Sequence, residues 1–489
     1  MSSNVILITV DQWRGDCLSI DGHPVVHTPS LDQIALDGVR FSRTYAACPI
    51  CIPARASLMS GLSPQTHGRV GYRDGVPWNY PTTIAGEFTR HGYQTQAIGK
   101  MHVFPERARI GFENVILHDG FLHFARRNHP DSTMVDDYLP WLRRETGNPA
   151  ADYFDHGIGC NTLLARPWDK EERLHPTNWV VTQAIDFLRR RDPTTPFFLN
   201  LSFHRPHPPY DPPAWAFEQY LNADLPPPFS GDWNDEISIE SRPHQADCHH
   251  GKVDDRILHR ARAGYFGNIT HIDHQIGRFL EILHEYHMHD NSWIVFLSDH
   301  GEMLGDHNLW RKGYPYEGSA RVPLLIKAPR EESFPSGVAR DTLCELRDIM
   351  PTLLDCVDLP VPECAEGRSL LPAARYGGQT VREFLHGEGV LDGNSTQWLT
   401  DGEEKYVWFG HDGTEQLFNL SDDPCETRNL ARSPASAVQA SLATWRTRLA
   451  GELAGREEGF VDKIGNLVPG RPASSLLHHP RRHRNVTAD

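Results

Sequence analysis

Four short apolar runs limit what this chain can fold into: "VILITV" (5–10), "FFLNLSF" (197–203), "WIVFLS" (293–298) and "VPLLIKA" (322–328). A strand wetted on one face alternates apolar and polar residues. Near-continuous runs of this length read instead as strands covered on both faces, the condition of a parallel sheet. Helical patterns separate them, at 30–37, 82–91, 176–190 and from near 254 to 286. The third, "PTNWVVTQAIDFLRRR", opens on proline and closes in arginines, which suits a first helical position and a negative C-terminal end. Strands alternating with helices predict an α/β fold, a large and mainly parallel sheet sandwiched by helices.

The chain has 489 residues, more than one core usually serves. Residues 204–256 carry "RPHPPYDPP" and "LPPPFSG" and read as an irregular surface excursion, near the site or at a contact between subunits of a homo-oligomer. From 376 the runs shorten and alternate, as in "KYVWFG", with one helix near 436–452. The expected organisation is a large domain over 1–375 and a small C-terminal α+β subdomain over 376–489, with an antiparallel sheet and a basic tail, "LLHHPRRHRNVTAD".

A formal net charge of -16 argues against nucleic acid as a partner, and it obliges any anionic substrate to find a local positive pocket. The start, "MSSNVILITVDQWRGD", lacks a basic leader, and its apolar run is too short for a signal core or a membrane span. A cytoplasmic protein with no membrane partner is expected. Nine cysteines, an odd number without framework spacing, read as reduced thiols in such a compartment, most of them small buried hydrophobes.

Two of the apolar runs empty into acids: Asp11-Gln12 follows the first and Asp299-His300 the third. Ligands of open α/β sheets bind beyond the carboxyl ends of the strands, so the pairs predict one shared site. Two carboxylates, an amide oxygen and an imidazole suit an oxygen-preferring divalent cation, calcium or manganese, better than tetrahedral zinc. The competing reading makes each Asp a helix cap or turn residue.

"CPICIPARASLMSG" (48–61) adds a second kind of chemistry. Cys51 precedes Pro53 at the start of a predicted helix, with Arg55 one turn along, and a thiol so placed is acidified and reactive. A structural zinc site would need a second ligand pair. No other CxxC exists, and "CHH" at 248–250 is a poor substitute. A redox CxxC would leave the paired acids unexplained.

These residues resemble the sulfatase signature, in which the Cys of a C-x-P-x-R context is oxidised to formylglycine. Further matches follow in order: "VDQ" (10–12), "GKMH" (99–102), "RPHPP" (205–209), "SDHGEMLGDHNLWRK" (298–312) and "LFNLSDDPCETRNL" (417–430). The resemblance spans essentially the whole chain and implies the fold of the alkaline phosphatase superfamily. It implies hydrolysis of a small-molecule sulfate ester to an alcohol or phenol and inorganic sulfate, after conversion of Cys51 by a formylglycine-generating enzyme. One divalent cation, calcium before manganese, would be held by Asp11, Gln12, Cys51, Asp299 and His300. One hydroxyl of the hydrated aldehyde would attack sulfur, aided by the cation and Arg55, and loss of the second hydroxyl's proton would expel sulfate. Lys100 and Lys312 would neutralise the sulfuryl oxygens. His207, with Lys312, would protonate the leaving oxygen, and His102 would take the proton that releases sulfate.

Ala54 departs from the family's usual serine, and Gln12 and His300 stand where many members have Asp and Asn. That pair resembles the branch with phosphonate monoester hydrolases and choline sulfatase, making phosphonate monoester or phosphodiester hydrolysis the alternative activity. "GKMH" keeps the sulfatase Lys and His and favours the sulfate ester. Glu302, Asp306 and His307 are expected to order their loop, Arg321 to form a structural ion pair, Cys48 to be a buried bystander and Asp74 to lie near the site.

Overall fold

The computed structural model describes residues 3–120, 131–237 and 239–478. The basic tail from 479 onward lies outside the described residues. The expected strands form as β1 (Asn4–Asp11), β5 (Phe197–Pro206), β6 (Ser292–Ser298) and β7 (Arg321–Lys327). They are joined by β2 (Val39–Tyr45), β3 (Gln94–Gly99), β4 (Asn114–Leu117), β8 (Val338–Arg340) and the short β9 (Cys344–Glu345). The order across this sheet is β4-β3-β5-β1-β6-β7-β2-β8, with β9 beside β2. β1 is parallel to both neighbours, so its C-terminal end lies beside those of β5 and β6.

One strand corrects the sequence reading. β7 runs antiparallel to β6 and to β2. Its apolar run reports that both faces are covered, and that condition is the same whichever way the strand points.

The pleat divides the core. Ile6, Ile8 and Val10 of β1 pack on one face with Trp179, Phe266 and Ile269, whereas Val5 and Leu7 pack on the other with Leu58, Phe88 and Leu353. Helices cover both faces: α1 (Pro29–Leu36), α2 (Cys51–Ser60), α3 (Ile84–Arg90), α4 (Pro176–Arg190) and α5 (Asp255–Glu285). Asp273 of α5 accepts the backbone N–H groups of Ser30 and Leu31, and so caps α1 from a neighbouring helix. The expected irregular excursion contains a helix at Ala214–Leu221. Its flanking prolines mark loops, but the eight residues between them are free of proline and glycine.

A separate antiparallel sheet contains β10 (Leu385–Leu391), β11 (Asn394–Thr400), β12 (Glu404–Phe409) and β13 (Glu415–Asn419), in that order. Helix α6 (Ser436–Leu453) lays Trp445 and Leu449 on its Leu399, Tyr406 and Leu417. Lys405 of β12 is fully buried and reaches back to the main sheet. Its Nζ donates to the Pro315 carbonyl, to Glu317 and to Glu426, each at 2.8 Å. Arg321 completes this network 2.8 Å from Glu317, the structural ion pair expected of it. Among the described residues, no helix is long and apolar enough to cross a membrane.

Candidate active site

Asp11 is the last residue of β1, and Asp299 and His300 directly follow β6. Because the strands are parallel neighbours, the two apolar runs deliver their acids to one place. Cys51 is the first residue of α2, whose cap residue Ile50 supplies no side-chain bond. The thiol therefore sits where helix N–H groups are free. The Cys51 sulfur lies 3.1 Å from His300 Nε2 and 3.7 Å from Asp11 Oδ1. His300 Nε2 is also 3.4 Å from Asp11 Oδ1 and 3.6 Å from Asp299 Oδ1.

One ligand atom from each of Asp11, Cys51, Asp299 and His300 falls within 4.8 Å of the others, all four residues being buried. His300 Nδ1 donates to the Gly301 carbonyl at 2.9 Å, which directs the other ring nitrogen into this cluster. Burial and the adjacent Asp11 charge raise the Asp299 carboxyl. Two desolvated carboxylates with an imidazole and a sulfur position between them are a donor set that fits a divalent cation.

Cations surround the cluster. Arg55, one helical turn from Cys51, places Nε 2.8 Å from Asp299 Oδ2. Its Nη1 donates to the Lys100 carbonyl and to Ser202 Oγ, both at 3.0 Å, and its buried Nη2 makes no hydrogen bond among the described residues. Lys100, fully buried after β3, is ion-paired with Asp11. Burial alone would raise the Asp11 carboxyl, but Lys100, His207 and His300 carry it well below the usual carboxylate range. Burial and Asp11 raise the Cys51 thiol, yet Lys100, Lys312 and His300 outweigh them and hold it well below its ordinary value.

Lys312 Nζ donates to Gln12 Oε1 at 2.6 Å. Gln12 itself is left-handed, with φ 73°, and its N–H donates to Asp299 Oδ1 at 3.1 Å. Its side-chain nitrogen donates to Glu302.

His102 is set by the turn after Lys100, where Asp119 accepts the N–H groups of Met101 and His102 at 2.8 and 2.9 Å. Its Nε2 lies 3.6 Å from Asp74, which in turn accepts the Tyr72 hydroxyl. Burial and Lys100 lower the imidazole, but hydrogen bonds with Asp74 and Cys51 carry it up to about 9. His207 is held from the β5 end, with its backbone N–H on the Asp11 carbonyl at 3.1 Å and its Nδ1 donating to the Pro208 carbonyl at 2.9 Å. Burial, then Lys312, keeps this ring well below the ordinary imidazole value.

Asp11, Gln12, Cys51, Arg55, Lys100, His102, His207, Asp299, His300 and Lys312 thus lie around one place, and the other residues singled out from the sequence have structural partners. Glu302 orders its loop by accepting the N–H groups of Leu304 at 2.9 Å and Arg311 at 2.5 Å. Asp306 pairs with Arg14 at 2.8 Å, and His307 lies against Trp233. Cys48 is buried outside the ligand cluster. Sequence reasoning missed three supports. Asp119 holds the "GKMH" turn. Asp211 anchors the histidine loop through Arg205 at 2.7 and 2.8 Å, where the His204 ring lies tilted by 44° against His207 with centroids 4.8 Å apart. The third is the bond from Gln12 to Glu302. Only the Arg–Asp pair, six residues apart in "RPHPPYD", left a local signal.

The model of the family described as Sulfatase matches residues 3–359, and that of the N-sulphoglucosamine sulphohydrolase C-terminal region matches 305–450. The chain is 49% identical over 484 residues to an arylsulfatase of Clostridium perfringens, covering 98% of this chain and 100% of that protein. It is 30% identical to a choline-sulfatase of Rhizobium meliloti, covering 91% and 85% of the two chains. Among solved structures, the phosphonate monoester hydrolase of Agrobacterium radiobacter superposes with a TM-score of 0.77 at 26% identity, covering 92% of this chain and 96% of that one.

Proposed function

Because this chain belongs to the sulfatase family of the alkaline phosphatase superfamily and is a sulfuric ester hydrolase, we propose that it cleaves its substrate with a formylglycine made from Cys51, beside one calcium ion. The observation that carries this reading is the buried Asp11–Cys51–Asp299–His300 cluster at the N-terminus of α2, ringed by Arg55, Lys100 and Lys312. In the mature enzyme the cation supplies a Lewis acid, and the hydrated aldehyde supplies two hydroxyls on one carbon.

The chain's own residues do the rest. Asp11, Gln12, Asp299, His300 and the side chain at 51 hold the cation, and manganese is the alternative where oxygen donors and imidazole mix. The unbonded Nη2 of Arg55 and the Lys100 ammonium are charges for the sulfuryl oxygens, fixed before substrate arrives. His102, backed by Asp74, takes the proton whose loss releases sulfate once its ring is neutral; the hydrogen bond with the Cys51 thiol that helps hold it charged is lost when residue 51 is an aldehyde. The leaving oxygen's proton is better assigned to Lys312 than to His207. The His207 ring is kept neutral, and its one N–H is committed to the Pro208 carbonyl. His207 then acts as an acceptor on the leaving-group side.

The pairing of Gln12 with His300 and the similarity to a phosphonate monoester hydrolase at 26% identity support cleavage of phosphonate monoesters as a side activity. A cytoplasmic site of action and maturation by a formylglycine-generating enzyme belong to the same proposal. The test is protein co-expressed with that enzyme, assayed with paired aryl sulfate and aryl phosphonate esters. The peptide containing Cys51 should weigh as an aldehyde, and the sulfate should turn over faster. A thiol mass in active enzyme would refute the nucleophile, and a large preference for the phosphonate would invert the ranking.

A further inference from the structure

Glu302 is a fully buried carboxylate that the reaction itself does not use. Oε1 accepts two backbone N–H groups, of Leu304 at 2.9 Å and Arg311 at 2.5 Å, and Oε2 accepts the side-chain N–H of Gln12. The Gln12 amide turns its N–H end to the Glu302 Oε2 acceptor, which leaves its oxygen for the opposite side. The other end, Oε1, is thereby turned toward Lys312, whose charge also acts on Asp11, Cys51 and His300. An amide presented the other way round would offer N–H groups to a cation.

We propose that Glu302 is a positioning residue for the cation site, fixing the Gln12 amide with its oxygen toward the metal. Through Arg311, whose backbone is left-handed at φ 70°, the same carboxylate also sets the loop that carries Lys312. One side chain thus couples Gln12, directly after β1 on the metal side, to Lys312 on the substrate side. The inference rests on the proposed divalent-cation site, and partners in contact with metal ligands typically tune affinity by about 10–100-fold.

Glu302→Gln is the discriminating change. Its oxygen can still accept from Leu304 and Arg311, but its NH₂ would face the Gln12 NH₂, so the Gln12 amide must turn over. Calcium and manganese affinities would be measured by calorimetric titration of full-length, metal-stripped protein, without substrate. The four proteins are wild type, Glu302→Gln, Gln12→Ala and the double variant. The expected result is binding weaker by about 10–100-fold in Glu302→Gln but changed by no more than about twofold when Gln12 is already Ala. An equal loss in both backgrounds would mean that Glu302 acts by its charge alone, and no loss in either would mean that it does not act on the site. Both results overturn the proposal. Failure of wild type to bind either ion would instead refute the cation reading beneath it. Should Glu302→Gln not fold, a crystal structure of the wild-type holoenzyme decides: the Gln12 oxygen on the ion with its nitrogen on Glu302 sustains the proposal, and the reverse or a broken contact overturns it.

Discussion

At position 51 a single sulfur atom decides whether the surrounding site can work. Cys51 stands within 3.7 Å of Asp11 and 3.1 Å of His300, and Lys100, Lys312 and His300 favour its ionised form. Those same charges are what an oxygen nucleophile at this position would use. A serine here would have one hydroxyl, and once sulfated it would have no second one through which to eject sulfate. Cys51→Ser is therefore expected to release at most about one phenol per enzyme from an aryl sulfate and then stop, as the nucleophile chemistry requires. Sustained turnover by that variant, followed in a stopped-flow assay, would rule out the two-hydroxyl mechanism. Arg55 is held by a different logic. Its Nε, Nη1 and backbone are all committed, so the guanidinium cannot follow a substrate, and Lys in its place would lose the fork that reaches Asp299 and Ser202 together. Arg55→Lys is expected to cost roughly 2–4 kcal/mol of transition-state stabilisation in kcat/KM, and near-normal kcat/KM would show that the charge alone suffices.

The strands bring these side chains within range of one another, and Gly99 shows how closely. It ends β3 at φ 96°, and a Cβ there would stand 1.9 Å from the Ser202 carbonyl oxygen of β5. Lys100 follows immediately and donates its N–H to that oxygen at 3.0 Å. Gly99→Ala must part β3 from β5, and a loss of roughly 2–5 kcal/mol is expected in denaturant unfolding, together with lost activity; an unchanged midpoint would mean that the strands can yield. This close approach also marks the limit of what could be read beforehand. Asp11 and Asp299 were legible because each ends an apolar run, and the ends of parallel strands converge. Lys100 and His102 were not legible by pattern, since "GKMH" looks like any surface turn until β3 is placed beside β5; only the family resemblance drew them out. The direction of β7 left no trace, and the bond from Gln12 to Glu302 joins residues 290 apart. Helix Ala214–Leu221 was hidden by the prolines around it. Between the two sheets, Lys405 is the joint. Lys405→Met would leave Glu317 and Glu426 buried together without their cation, and a loss of about 3 kcal/mol or more is expected, by denaturant midpoint. A more stable variant would show that the apolar contacts of Tyr45, Trp398 and Phe418 suffice there.

Over the whole molecule, acid stability turns on buried histidines. Burial is the main cause that holds His23, His67, His249, His289 and His307 at about 4, 3, 3, 4 and 4, against an ordinary value of 6.5. These are bases with depressed folded values. Their contribution is complete above pH 6.5 and is lost as the pH falls toward 4, because only the unfolded chain takes up their protons. Two carboxyls work in the opposite sense. Burial raises Asp273 and Glu426 to about 7, so each adds stability at low pH and loses it as the pH rises through 7. Between pH 6.5 and 4.5 the unfolded chain binds these five histidine protons and the folded one binds the two carboxyl protons, a net difference of three. At about 1.4 kcal/mol per proton and pH unit, stability should fall by roughly 4 kcal/mol for each unit of acidification. For a chain of this length that is a decline of a few degrees in Tm per unit, readable by calorimetry. Asp273→Asn removes one opposing proton while keeping an oxygen to cap α1. It should raise Tm at pH 8 more than at pH 5 and steepen the acid decline by about 1.4 kcal/mol per unit. A Tm that holds level or climbs from pH 6.5 to 4.5 would mean that the carboxyls, not the histidines, govern the balance.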